Sequence, residues 1–130
     1  MANTIDKRPP VAVGHVRLTV KDVLTTSAFL QQLGLLKIFE KDTFAVLELR
    51  GGTHLILEKS LKRTKPGTLS PVDFMVDDVK KARAKYAKMG MKPTRIKSGT
   101  IHSSFFIPGP ECQRRSKGTS LAGVNMHHLV

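Results

Sequence analysis

Tryptophan is absent from the 130 residues, tyrosine occurs once, and the only cysteine is Cys112. A single thiol excludes an internal disulfide and a cysteine-built zinc site, and it fits a reducing compartment. Long apolar runs are missing too. None approaches the roughly 20 residues that a membrane-spanning helix requires, and "MANTIDKRPP" has no apolar stretch behind its charges. The expectation is therefore a cytoplasmic protein with no membrane partner. Acidic side chains are scarce: 10 Asp and Glu against 22 Lys and Arg leave a formal charge of +12. That field disfavours a cationic ligand and favours an anionic or polar one. Nucleic acid is not an expected partner. The basic runs "KSLKRTK", "KKARAKYAK" and "RRSK" are dispersed, and no aromatic residue interleaves with them as a base-stacking platform.

What is present is a unit written twice. "HVRLTV" alternates apolar and polar residues as a half-buried strand does. Asp22 then stands at a helix N-cap, and "VLTTSAFLQQL" aligns Val23, Ser27, Leu30 and Leu33 on one side before Gly34 stops it. Three extended segments follow, "LLKIFEK", "FAVLELR" and "THLILEK", the last two joined by Gly51 and Gly52. After a polar loop the order restarts. "VDFMV" reads as a strand, Asp78 as a cap, and "VKKARAKYAKM" as a helix with Val79, Ala82, Tyr86 and Met89 inward and Gly90 as its stop. "KPTRIKS" and "HSSFFIP" are the next strands. Twelve positions separate Asp22 from Gly34, and twelve separate Asp78 from Gly90 (34 − 22 and 90 − 78). A repeat at fixed spacing indicates a duplicated module.

The expected fold is α+β within one domain. A βαβββ module spans 11–60, a linker 61–70 and a second module 71–111. Residues 112–130 read as an atypical, disordered tail in place of a regular last strand. The change of character after Glu111 has another reading, a shifted reading frame, which sequencing the gene decides.

This pattern resembles the vicinal oxygen chelate superfamily, which includes glyoxalase I, bleomycin- and fosfomycin-resistance proteins and extradiol dioxygenases. "GHVRLTVKDV", "QQLGL", "GGTHLIL", "VDFMVDDVKKARAKYAKMGM" and "FFIPGPE" carry the resemblance, the last resembling the family's "GPEG" turn. It implies a mixed sheet curled around a cavity, a homodimer, and metal ligands on the first and fourth strand of each module. His15 stands at the family's first ligand position. The fourth-strand position falls on Ile56. Aligning "VKDV" with "VDDV" pairs His15 with Pro71, which has no ligating side chain. Asp73 is the nearest substitute, through a slipped register that would bury its polar face. Ser116 falls where the closing glutamate belongs. His15 and Asp73 are thus weak metal candidates, and the expectation is no metal cofactor.

The inward face of the strands supplies a ligand pocket: His15 and Arg17 from the first, His54 and Glu58 from the fourth, Asp73 from the second module. An inward guanidinium needs a partner, either Asp73 or a ligand carboxylate or phosphate. His54 near a carboxylate can bind ligand or move protons, or it is a hydrogen-bonded histidine of the wall. His102 reads as a cavity or loop-edge residue, Cys112 as an unreactive thiol, and His127 and His128 as a pair able to pick up stray metal. Three functions follow. One is a metal-independent small-molecule-binding protein for an anionic or polar ligand. The second is a lyase, isomerase or dioxygenase using Zn, Ni, Fe or Mn, which needs at least three ligands. The third is a partner-binding dimerisation module using the basic surface.

Overall fold

The computed structural model describes residues 9–60, 72–99, 103–109 and 123–128. The first module runs β1 (His15–Val20), α1 (Val23–Leu33), β2 (Leu36–Lys41), β3 (Phe44–Glu48) and β4 (His54–Lys59). The second runs β5 (Phe74–Val76), α2 (Val79–Lys88), β6 (Lys97–Ser98), β7 (Ser103–Pro108) and β8 (Gly123–His128). Each module builds its own four-stranded mixed sheet, ordered β1-β4-β3-β2 and β5-β8-β7-β6. In both, the first strand pairs in parallel with the last and the remaining pairs are antiparallel. The repeat in the sequence is a repeat in topology, in two sheets not closed into a barrel.

Both helices begin and end by the same chemistry. Asp22 accepts a hydrogen bond from the Thr25 N–H and Asp78 from the Lys81 N–H, each at 3.0 Å. A cap of this kind contributes about 1 kcal/mol. At the other end Gly34 (φ 119) and Gly90 (φ 80) turn the chain left-handed. The N–H groups of Leu35 and Met91 then return to the carbonyls of Leu30 and Tyr86 at 3.1 Å, closing off otherwise unpaired acceptors. Met89, expected inside, is the C-cap of α2 and is exposed, because the helix has already ended at Lys88.

Strand alternation decides where the core lies. Leu18 and Val20 of β1, Ala45 and Leu47 of β3, and Leu55 and Leu57 of β4 join Val23, Phe29, Leu30 and Leu33 of α1. Phe74, Val79, Tyr86, Phe105, Ile107, Val124 and Met126 of the second module belong to the same cluster. A fully buried leucine contributes about 1.5–3 kcal/mol, so this shared cluster holds the two modules against each other. Two polar ties cross the junction. The Tyr86 hydroxyl donates to the Leu33 carbonyl at 2.6 Å, and Arg50 grips Asp77 with both terminal nitrogens at 2.8 and 3.0 Å.

The stretch read as a disordered tail requires correction at one place. Residues 123–128 form β8, an inner strand between β5 and β7 of the second sheet, with Val124 and Met126 in the core. The inward pattern there is only two apolar residues long, too short for periodicity to reveal. The rest of that tail, with Cys112 and Ser116, lies outside the described residues, as do Pro71 and His102.

Candidate functional site

With α1 covering one face of the first sheet, the side chains of alternate residues project from the other face. On β1 these are His15, Arg17 and Thr19, all exposed. On β4 they are His54, Ile56 and Glu58, and on β3 Val46 and Glu48. The parallel register sets His15 beside His54, Arg17 beside Ile56 and Thr19 beside Glu58. Four of the five expected pocket residues therefore share one face.

Their contacts follow from that register. The His15 and His54 rings stack with centroids 5.7 Å apart and an interplanar angle of 24°. On the other side His54 Nε2 lies 3.1 Å from Glu48 Oε1, a carboxylate directly opposite it in the β3–β4 hairpin. Arg17 Nη1 donates to Glu58 Oε1 at 2.6 Å, reaching diagonally across the parallel pair. Neither Arg17 Nη2 nor Nε has a hydrogen-bond partner among the described residues. The two side chains are 66% and 39% exposed, so solvent screens the pair and it contributes at most about 1 kcal/mol. Its value lies in aiming the guanidinium.

Asp73 is not the partner of Arg17. It immediately precedes β5 of the second sheet, and its Oδ2 lies 3.2 Å from His127 Nε2. A carboxylate one strand away within a sheet reaches Arg17 more readily than one on another sheet. His127, read from the sequence as part of a tail, is thus held in a strand beside an acid. Glu48 went unnamed in the sequence reading, yet the signal was there: counting outward from the Gly51–Gly52 turn places it opposite His54.

The junction between modules holds a cleft of about 260 Å³, lined by Leu35, Leu49, Arg50, Phe74, Met75 and Tyr86 among others. A second, of about 330 Å³, lies between α1 and residues 89–91 and 108–109. None of the expected pocket residues lines either cleft. Burial raises the Tyr86 pKa, and the hydrogen bond and charge of Asp77 raise that of Arg50.

The described donors do not gather into a metal site. Among the described residues no three His, Cys, Asp or Glu side chains lie close enough together to hold an ion. His15 is stacked on His54, and Asp73 stands with His127 in the other sheet. Also among the described residues, no helix is long and apolar enough to cross a membrane.

Solved structures with this architecture bear out the resemblance read from the sequence. A lactoylglutathione lyase from Agrobacterium tumefaciens superposes with a TM-score of 0.66 at 16% identity, covering 93% of this chain and 96% of that one. A possible glyoxalase from Bacillus cereus gives 0.64 at 21% identity, over 92% and 98%. A glyoxylase/bleomycin resistance protein/dioxygenase domain from Frankia sp. EAN1pec gives 0.62 at 16%, over 92% and 98%. No family profile matches the chain, and no curated protein does. The likeness is one of fold.

Proposed function

We propose that this glyoxalase-like chain binds a small anionic or polar molecule on the open face of its first sheet, without the metal centre used by enzymes of this fold. The observation that carries the reading is Arg17. It is exposed, aimed by Glu58 through one nitrogen, and stands one pleat from the stacked His15–His54 pair. A planar guanidinium with free donors recognises a carboxylate or phosphate by two parallel hydrogen bonds. The imidazoles add further hydrogen-bonding nitrogens, and Val46 and Ile56 give the face an apolar floor. The +12 charge attracts an anion from a distance.

Nuclear magnetic resonance titration with inorganic phosphate and small mono- and dicarboxylates tests this. The expected result is saturable shifts at His15, Arg17 and His54 that Arg17→Gln abolishes. Shifts scattered over surface lysines, or none, overturn it. The metal-dependent alternative is tested by elemental analysis of tag-free protein incubated with Zn, Ni, Fe or Mn. Stoichiometric metal lost in His15→Ala refutes the metal-free reading.

The same reading includes a homodimer. Strand β2 is an edge of its sheet, and Leu36, Ile38 and Phe39 on it are 58%, 52% and 48% exposed. An apolar edge of this kind invites pairing. Light scattering is expected to give twice the chain mass of 14.4 kDa.

A further inference from the structure

Charge is divided unevenly along the chain. Nine of the ten acidic residues precede Val79 (positions 6, 22, 40, 42, 48, 58, 73, 77 and 78), and only Glu111 follows. Residues 79–110 carry six lysines, two arginines and no acid. The fold gathers this excess around α2. Val79 and Tyr86 of that helix are buried and Ala82 is half-buried, so Lys80, Lys81, Lys85 and Lys88 occupy the outward side. Arg83 donates to the carbonyls of Thr94 and Pro93 at 2.7 and 3.2 Å, which fastens the following segment, with exposed Lys92 and Arg95, alongside the helix.

As an isolated surface this arrangement is unfavourable. Lys81, Lys85 and Lys88 recur at i, i+4 and i+7, where like charges repel along a helix. Lys80 and Lys81 lie in the first turn, where the helix dipole is positive and cations are disfavoured. Apart from the capping Asp78, the helix has no acidic residue. A bound polyanion relieves both strains.

We infer that the outward face of α2 is a sequence-independent docking surface for the phosphate backbone of nucleic acid. An anionic membrane is the weaker fit, because an interfacial helix inserts its apolar side and that of α2 is already committed to the core. An acidic protein surface is weaker too, because among the described residues this face exposes no aromatic side chain, and Met89 at the helix end is a single apolar group to anchor a protein interface. The lack of aromatics that discounted base stacking in the sequence does not count against backbone contact, which needs only cations.

The test is fluorescence anisotropy of the full chain with a labelled duplex DNA of arbitrary sequence, measured across salt concentrations. Four to five neutralised phosphates give a slope of log Kobs against log salt of about −4, and raising salt from about 50 to 200 mM weakens binding about 250-fold. Lys81→Gln/Lys85→Gln/Lys88→Gln is expected to reduce the slope by nearly 3 units. The charge-matched control Lys21→Gln/Lys37→Gln/Lys41→Gln, on exposed positions of the first module, is expected to leave it unchanged. Circular dichroism confirms that both variants are folded. Equal losses in the two variants overturn the proposal, since net charge alone then explains binding. So does tighter, α2-dependent binding to phosphatidylserine vesicles, which makes a membrane the partner. Failure of phosphate or carboxylates to bind at Arg17 leaves this surface untouched, so the two readings fall separately.

Discussion

The Tyr86 hydroxyl, on the helix of the second module, donates a 2.6 Å hydrogen bond to the carbonyl of Leu33, the last residue of the first module's helix. It is the sole tyrosine in the chain and is almost fully buried. One side chain thus joins the two halves, and its spectroscopic signal is uncontaminated.

Tyr86→Phe keeps the ring and removes the donor, leaving a carbonyl near the core unsatisfied. The expected loss of stability is about 1–3 kcal/mol, read as a lower midpoint of urea denaturation. A midpoint unchanged from wild type refutes the tie.

The same residue sets an alkaline limit. Burial raises its pKa, so the folded state holds the phenolic proton in a range where the unfolded chain has released it. The contribution is whole below the ordinary tyrosine value of about 10 and is lost as pH rises from there through the folded pKa. Tyrosinate absorbance is expected to titrate above that value in the native protein and to drop to it in denaturant. Stability should fall less steeply with alkali in Tyr86→Phe than in wild type.

Glu58 aims Arg17 yet brings a negative charge beside it, and glutamine removes that charge while keeping an acceptor oxygen. Glu58→Gln should change stability by less than about 1 kcal/mol, because the pair is exposed. It should also tighten binding of small anions, whereas Arg17→Gln should abolish it. Calorimetric titration with phosphate checks both, and opposite signs in the two variants are the required outcome.

The N-caps offer a matched pair. Asp22→Ala and Asp78→Ala each remove one acceptor from a helix start and should cost about 1 kcal/mol. Loss at Asp78 should be the larger, since α2 begins with Lys80 and Lys81 against the helix dipole and has only this acid to offset them. Thermal denaturation of the two variants compares them directly.

Edge pairing through β2 predicts that Phe39→Lys yields a monomer by light scattering, with the fold retained. A dimer that survives this substitution places the interface elsewhere.

Local rules in the sequence determined the modules, because each depends on neighbours within a turn or a pleat. The Asp-to-Gly spacing marks both helices, period-two alternation marks β1, β3 and β4, and the recurrence of that spacing marks the duplication. The same alternation placed His15, Arg17, His54 and Glu58 on one face. Only the tertiary structure decided which of them meet. The β1–β4 register stacks His15 on His54 and gives Arg17 to Glu58, while the separation into two sheets sends Asp73 to His127. It also took the fold to draw β8 from residues 123–128, where the apolar period is too brief to read. Pairing between strands is chosen by packing across distant parts of the chain, and a linear pattern carries no record of which distant strand wins.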